Sequence, residues 1–383
     1  GSSSLGTLPV LLRSAGRMAS KLRVALAAGF FGGAGIVAGL AWLWQRQRAK
    51  KQEARKQQGQ APPPIFWRAK EVLLDDLWFA EGPRWRDGCL YFSDFGPPGG
   101  ECVIAVNFST KQRRTVALIL DADKDFRGPS GLGWKPDGTL LISQMRARKL
   151  LSYHPEQSKD PTQCADLSEF AAGHCNDMVV ASDGSAYVGN FGFDLKEVDG
   201  KSPDQYLPFL RSTALIRVDA DGTVSQATPK ELTFPNGIVI TPDGETLLVA
   251  ETFGQRISAY KRAADGSLSD RRTWAEIPFT WPDGMCLDAS GALWIALAGA
   301  GCFIRLAEGG HVLEVIPASE GFKAIAVVLG GDDGRVLFML EARVSGEDEI
   351  RKAGAGNSRV TTAHVDVPAA RSLSAPHYVA GYC

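Results

Sequence analysis

The segment FPNGIVITPDGETLLVAETFGQRISAYK, residues 234–261, alternates between short apolar runs and tight turns. Such runs, separated by turn residues, are typical of antiparallel β-strands. The Asp243-Gly244 pair supplies the positive φ that a tight hairpin requires. The polar residue Asn236 stands directly ahead of the apolar run that starts at Ile238. The segment therefore predicts a β-hairpin with an amide at the mouth of its first strand.

The same turn-and-strand unit occurs six times. Its turn glycines are separated by 50, 46, 60, 47 and 43 residues and lie at Gly88, Gly138, Gly184, Gly244, Gly291 and Gly334. Repeats of about 40–50 residues built from short strands are typical of β-propellers. An all-β sandwich is the alternative, but it requires only regular turns and not a whole repeated motif. We therefore predict an all-β fold, a six-bladed β-propeller over residues 65–383.

Two further features of the propeller follow from this pattern. The strand within residues 65–74 is expected to complete the last blade, so that no long sheet edge is left open. The longest interval carries residues 192–209, which we interpret as a loop or lid inserted in the third repeat.

A polar residue precedes the innermost strand of most repeats. Counting back from the turn glycines gives this set: Glu81, Ser130, Asn176, Asn236 and Asp283, with Lys323 offered by the irregular sixth repeat. Equivalent positions of a closed ring of blades converge on the central channel. A purely structural repeat would carry small apolar side chains there.

Two carboxylates crowded into one channel repel each other unless a cation or a proton compensates them. A donor set made only of oxygens suits a hard divalent ion such as Ca²⁺, Mg²⁺ or Mn²⁺ better than structural zinc. The pattern therefore predicts one divalent cation, with these ligands: Glu81, Asn176, Asn236 and Asp283. Ser130 is predicted to face the same channel.

The first 52 residues contain no Asp or Glu, and residues 24–44 carry no charged side chain at all. At 1.5 Å per residue, a helix of that length spans about 30 Å, the hydrocarbon thickness of a bilayer. Trp42, Trp44 and a basic run follow. We predict a basic leader with possible targeting function at 1–23, a single transmembrane helix at 24–44 and a basic linker containing Gln and Pro at 45–64. A cleaved signal peptide and a buried helix are the alternatives.

The leader contains Ser and Arg, as organellar targeting segments do. This favours the mitochondrial inner membrane, with a bacterial inner membrane or the endoplasmic reticulum as alternatives. Glycines spaced four residues apart, Gly29 with Gly33 and Gly35 with Gly39, allow close contact with helices of membrane-protein partners.

Charge and cysteine content exclude several other classes of function. The formal net charge of −1 gives no argument for a nucleic-acid partner. Seven cysteines without CxxC or Cys/His zinc spacing predict neither a disulfide framework nor a structural zinc site. The absence of a GxSxG motif argues against a serine nucleophile.

The motifs EGPRW, PSGLGW, HCNDMVV, FPNGIVITPDGETLLVAETFG and PDGMCLD together resemble the gluconolactonase, regucalcin and luciferin-regenerating enzyme family. The resemblance runs from about Leu73 to Pro368. It implies a six-bladed propeller with one divalent ion held by Glu81, Asn236 and Asp283. It also implies that Asn176 contacts the ion or the substrate, and that Asp283 is the general base.

The chain departs from this family at one position of the site. Sugar-lactone hydrolases of the family often carry Arg two residues before the Asn of the ND motif, and this chain has His174 there. The departure leaves the acyl substrate open. His174 is a second candidate for catalysis and substrate binding, and the alternative is that it only hydrogen-bonds neighbouring backbone.

Three functions remain compatible with these observations. The first is a membrane-anchored, metal-dependent hydrolase of a lactone or related cyclic ester, with Ca²⁺ as the first choice of ion and Mn²⁺, Mg²⁺ or Zn²⁺ as alternatives. In it, Asp283 takes a proton from the attacking water, while Ser130, Asn176 and His174 contact the substrate. The second is an accessory or docking subunit of a membrane assembly that retains the metal-binding propeller without turnover. The third is a calcium-binding regulatory protein.

Overall fold

The computed structural model describes residues 68–97, 99–119, 128–198, 201 and 205–371. The predicted leader, transmembrane helix and linker, residues 1–64, lie outside the described residues. Within the described part, no helix is long and apolar enough to cross a membrane.

Twenty-four strands make up the described fold. The chain starts with β1 (Glu71–Leu77), followed in the first three blades by β2 (Ala80–Arg86), β3 (Cys89–Asp94), β4 (Cys102–Asn107), β5 (Arg113–Leu118), β6 (Pro129–Trp134), β7 (Leu140–Gln144), β8 (Lys149–Tyr153), β9 (Thr162–Asp166), β10 (Cys175–Val180), β11 (Ala186–Asn190), β12 (Ile216–Val218) and β13 (Val224–Gln226). The last three blades contain β14 (Pro235–Ile240), β15 (Thr246–Glu251), β16 (Arg256–Arg262), β17 (Leu268–Glu276), β18 (Pro282–Leu287), β19 (Leu293–Leu297), β20 (Cys302–Ala307), β21 (His311–Pro317), β22 (Lys323–Gly330), β23 (Val336–Ala342) and β24 (Ser358–His364).

These strands form six four-stranded antiparallel sheets, which confirms the predicted six-bladed propeller. Five blades use four consecutive strands, and the sixth has the order β1-β24-β23-β22. The inner strands β2, β6, β10, β14, β18 and β22 each pack against the inner strand of the next blade, and β22 packs against β2. The ring is therefore closed, and β1 closes it by pairing with β24 as predicted.

The predicted turn glycines all lie between the first and second strand of a blade. Each has positive φ, from 72° at Gly334 to 90° at Gly138. In the fourth blade the Oδ1 of Asp243 accepts hydrogen bonds from the Glu245 N–H and the Thr241 hydroxyl. The turn chemistry read from the sequence therefore gives the six hairpins that define the blades.

The blades stack through apolar faces. Between the third and fourth blades, Val179 and Tyr187 pack in one buried cluster with Ile238 and Leu247. An interior blade contacts a neighbour on both faces, so its central strands carry nearly continuous apolar runs instead of alternating ones. This explains why the strand that follows Asn236 does not alternate between buried apolar and exposed polar residues.

Small residues let the inner strands approach each other closely at one level of the channel. A Cβ on Gly82 would lie 2.4 Å from the Ser130 carbonyl oxygen, and one on Gly131 would lie 2.4 Å from the Met178 nitrogen. A Cβ on Gly237 would lie 2.6 Å from the Asp283 carbonyl oxygen. Real Cβ atoms do not approach backbone atoms so closely, so only glycine fits here. We call these positions the glycine level.

The sixth blade places a different residue in the ring from the one predicted. A Cβ on Gly284 would lie 2.6 Å from the Cβ of Ala326, so Ala326 takes the place of the glycine in the sixth blade. The residue before it, equivalent to Asp283, is the buried Ile325 and not Lys323. The prediction was wrong because β22 is longer than the other inner strands. Lys323 lies two residues earlier, where its Nζ is 3.2 Å from the Ser345 Oγ.

The insertion predicted in the third repeat lies between β11 and β12. It contains a short helix, α1 (Leu195–Val198), and a 3₁₀ turn at Leu207–Phe209. A second helix, α2 (Glu347–Ala353), joins β23 to β24. The insertion places additional residues beside the start of β10, where two of the predicted site residues lie.

Candidate active site

The predicted channel residues occupy equivalent positions in five blades. Each stands immediately before the glycine level, at the β-bulge of an inner strand: Glu81, Ser130, Asn176, Asn236 and Asp283. Bulges re-aim side chains at sites of this kind. The first four are buried, and Asp283 is half-buried.

Direct contacts join these residues across blades. The Asn236 side chain hydrogen-bonds Asp283, and the Ser130 hydroxyl donates to the Asn176 Oδ1 at 3.3 Å. Among these five residues, two buried atoms have no hydrogen-bond partner in the protein, the Oδ1 of Asp283 and the Nδ2 of Asn176. Buried polar atoms are rarely left unsatisfied, and such atoms mark a place for a ligand, ion or water.

The carboxyl groups of the ring raise each other's pKa. Burial raises the pKa of Glu81 well above its ordinary value, and the negative charges of Asp283 and Asp177 raise it further. Burial and the charge of Asp177 raise the pKa of Asp283 to about 8. These groups are therefore close enough to interact strongly, and in the absence of a cation they favour the protonated form.

A buried ion pair that the sequence analysis missed lies beside the ring. The Arg84 guanidinium contacts the Asp177 carboxylate at 3.0 Å and the Met178 carbonyl at 2.5 Å. Asp177 stands at the glycine level, where the neighbouring blades carry Gly131 and Gly237. The exception was visible in the sequence, because the third repeat has ND where others have SG, NG or DG. Arg84 pairs directly with Asp177, and its charge also lowers the pKa of Glu81, but no described cationic side chain forms an ion pair with Glu81 or Asp283.

Thr252 was also missed, and it connects two of the predicted ligands. The Asn236 Nδ2 donates to the Thr252 Oγ1 at 3.1 Å, and this hydroxyl donates to the Pro282 carbonyl at 2.9 Å. Pro282 directly precedes Asp283. Thr252 therefore fixes the orientation of the Asn236 amide relative to the strand that carries Asp283. No sequence signal marks it, because it lies after β15 and outside the repeated motif.

His174 is held by the insertion of the third blade. Its Nδ1 accepts a hydrogen bond from the Leu195 N–H at 3.2 Å, and its Nε2 lies 3.5 Å from the Asp194 carboxylate. Asp194 also contacts Arg148 at 2.6 Å. The backbone-bonding alternative is therefore present in the structure, and a catalytic role for His174 stays a prediction.

Comparison with known proteins agrees with this architecture. A family model described as "SMP-30/Gluconolactonase/LRE-like region" matches residues 79–343, more than half of the chain. The chain belongs to the SMP-30/gluconolactonase/LRE-like family. This confirms the resemblance seen in the sequence.

Individual relatives of this family match over shorter segments. The pentonolactonase XacC of Haloferax volcanii is 32% identical over 147 residues, covering 37% of this chain and 48% of that protein. A 6-deoxy-6-sulfogluconolactonase of Pseudomonas putida is 29% identical over 132 residues, 34% of this chain and 45% of that protein. The chain thus spans about half the length of these curated relatives.

A solved structure of the calcium-binding protein regucalcin from Agrobacterium tumefaciens superposes with a TM-score of 0.63. It covers 81% of this chain and 98% of that chain at 19% identity. At this identity the likeness shows a shared fold.

The ring fits the divalent cation that members of this family are expected to hold. Glu81 and Asp283 form no ion pair with a described residue, although the charge of Arg84 lowers the pKa of Glu81, and Asp283 has a buried, unpaired oxygen. The amide of Asn236 lies beside Asp283 and donates a hydrogen bond to Thr252. No group of three or more His, Cys, Asp or Glu side chains suited to a metal occurs in the described residues. The donor set is accordingly two carboxylates with amides, which suits a hard cation.

We expect Thr252→Val to weaken cation binding. The substitution keeps the shape of the side chain but removes the acceptor of the Asn236 Nδ2 and the donor to Pro282. Loss of such a supporting contact lowers metal affinity by about 10- to 100-fold. Isothermal titration with Ca²⁺ measures the change, and Thr252→Ser, which keeps the hydroxyl, serves as the control. Unchanged affinity in Thr252→Val would contradict the positioning role.

The raised carboxyl pKa values predict how metal-free protein responds to pH. The native state keeps a proton on Asp283 up to about pH 8, whereas an unfolded chain releases it near the ordinary value of 3.8. Because the native state binds more protons in this range, stability falls as pH rises through it. A cation binds the ionised form and offsets this loss. Thermal unfolding should therefore show a larger Ca²⁺-induced rise in Tm near pH 8 than near pH 5. An equal rise at both pH values would argue against ligation by these carboxylates.

Proposed function

We propose that this protein is a divalent-metal-dependent hydrolase of a lactone or related cyclic ester. The observation that carries the proposal is the ring itself, where Glu81, Asn236 and Asp283 converge beside the unpaired Nδ2 of Asn176. Family membership and the lactonase names of the two sequence relatives support the same reaction class.

A divalent cation, with Ca²⁺ as the first choice, would polarise the substrate carbonyl and compensate the negative charge that develops on its oxygen. Glu81, Asn236 and Asp283 would hold the ion, with Asn176 beside it. Mn²⁺, Mg²⁺ and Zn²⁺ are the other candidates.

Asp283 is proposed as the general base. Its half-buried position and unpaired Oδ1 leave an oxygen available to take a proton from a water molecule that attacks the acyl carbon. The bond between the acyl carbon and the ring oxygen then breaks, and this proton passes to the departing oxygen to give a hydroxy acid. The hydrogen bond from Asn236 orients the carboxylate for this task.

Asn176 and Ser130 are proposed to bind the substrate together. The Ser130 hydroxyl donates to the Asn176 Oδ1, so the unpaired Nδ2 is left to donate to a substrate oxygen. In this arrangement Ser130 is a positioning residue and not a nucleophile. We also propose that His174, which the third-blade insertion holds in place, orients the substrate.

We expect Asp283→Asn to abolish most hydrolysis and to weaken cation binding. The change keeps the size of the side chain but removes both the base and one ligand charge. The loss of a general base lowers kcat by about 10²- to 10⁴-fold. Hydrolysis of a panel of lactones by the purified full chain, with and without Ca²⁺, tests the proposal, and Asp265→Asn in an exposed hairpin turn is the matched control. If the wild type hydrolyses no lactone with any of the four cations, the accessory-subunit or regulatory function is favoured instead.

Membrane anchoring through residues 24–44 is part of the proposal. It rests on the uncharged stretch and its flanking Trp42, Trp44 and basic run. The mitochondrial inner membrane is the favoured location, with a bacterial inner membrane or the endoplasmic reticulum as alternatives. We expect the full chain to stay in the membrane pellet after an alkaline carbonate wash, which removes peripheral proteins. Recovery of the full-length chain in the wash would disprove a spanning helix.

A further inference from the structure

A continuous cluster of aromatic side chains lies at the end of the propeller where the candidate ligands are found. It comes from loops of the third, fourth and fifth blades and consists of Phe191, Phe193, Tyr206, Phe234, Phe253 and Trp281. Neighbouring ring centroids are 4.5 Å apart for Phe191–Phe234, 5.4 Å for Phe234–Phe253 and 6.2 Å for Phe253–Trp281. We call this set the aromatic cluster.

Part of the cluster is exposed. Phe191 and Phe193 are buried and form its base. The other four rings are half-buried: Tyr206, Phe234, Phe253 and Trp281. Neighbouring half-exposed rings form an apolar face, and such a face next to a site marks a place for an apolar group.

The exposed rings are joined to the candidate ligands through the backbone. Phe234 and Trp281 each stand two residues before a ligand, Asn236 and Asp283 respectively. Phe253 directly follows Thr252, whose hydroxyl accepts the Asn236 amide. The aromatic cluster therefore adjoins the same side of the ring as the proposed base.

Phe234 is held in a conformation that an aromatic residue rarely adopts. Its φ is +55°, in the left-handed region. A bulky residue is strained there, and such strain persists only where the surroundings hold it. Here the Thr252 N–H donates to the Phe234 carbonyl at 3.0 Å. The same threonine thus fixes both a predicted ligand and a ring of the cluster.

We propose that the half-exposed rings of the aromatic cluster bind an apolar substituent of the substrate. The lactone would then carry an alkyl or aryl group, and not the row of hydroxyl groups of a sugar lactone. A sugar lactone needs several hydrogen-bonding side chains around its ring, whereas Phe234 and Phe253 offer none and Tyr206 and Trp281 offer one polar group each. This inference rests on the proposed lactonase function and specifies its substrate class.

The experiment compares three lactones with the purified full chain and saturating Ca²⁺: γ-butyrolactone, γ-nonalactone and D-glucono-δ-lactone. Each methylene group that leaves water increases binding about fourfold, from about 0.8 kcal/mol per CH₂. We expect kcat/KM for γ-nonalactone to exceed that for γ-butyrolactone by at least about tenfold, with D-glucono-δ-lactone the poorest of the three.

Variants of the aromatic cluster test whether its rings cause the preference for γ-nonalactone. Phe253→Ala and, independently, Trp281→Ala should lower the ratio of kcat/KM for γ-nonalactone over γ-butyrolactone by about fivefold or more. Phe108→Ala is the matched control, because Phe108 is a half-buried ring that packs on Trp85 and Phe338 beside the Gly88 turn, away from the ring of ligands. It should leave the ratio unchanged, and the Tm of each variant confirms that it is folded.

The outcomes separate the two proposals. If D-glucono-δ-lactone is the best substrate, or if both cluster variants keep the wild-type ratio, the inference is wrong while the lactonase function stands. If no lactone of any kind is hydrolysed, the proposed function fails and the inference fails with it.

Discussion

The contact between neighbouring inner strands at the glycine level is the constraint on which the rest of the structure depends. The inner strands approach one another so closely there that four of the six blades carry glycine, at Gly82, Gly131, Gly237 and Gly284, and the sixth carries the small Ala326. Because the ring closes this tightly, the side chains that stand immediately before the glycine level crowd into one small space. Two of these are carboxylic acids, Glu81 and Asp283, and their shared burial raises the pKa of both. The raised pKa of these two carboxyl groups, which a bound proton or cation would compensate, is thus a consequence of how tightly the ring closes.

The residues around the ring have two roles: one compensates charge, and the others orient the amide side chains. Arg84 forms an ion pair with Asp177, whereas Glu81 and Asp283 form none with the described residues. Thr252 joins the fourth blade to the fifth and fixes the Asn236 amide, while Ser130 fixes that of Asn176. Supporting contacts of this kind determine how rigidly a metal site is presented.

Much of this arrangement could be predicted because it repeats. The turn glycines and the polar residue before each inner strand recur in register, so Asn236 and Asp283 were recognised from spacing alone. The contacts that could not be predicted join different blades: Arg84 with Asp177, and Thr252 with Pro282. Nothing local in the chain signals that such residues meet. The aromatic cluster was missed for the same reason, since its rings come from loops of three different blades and meet only in the folded chain. The position in the sixth blade was assigned to Lys323 instead of Ile325, because β22 is longer than the equivalent strands.

The pairing of β1 with β24 determines when this protein can finish folding. Glu71 pairs with Thr362, so the first described strand has to wait for the last one to leave the ribosome. Until then the sixth sheet lacks two of its four strands and the ring is an open arc with unpaired strands at both ends. Such edges invite association with other chains, and contacts between distant parts of a sequence form slowly. The nascent chain therefore passes through an aggregation-prone state at the end of synthesis, when five blades are complete and the ring is still open.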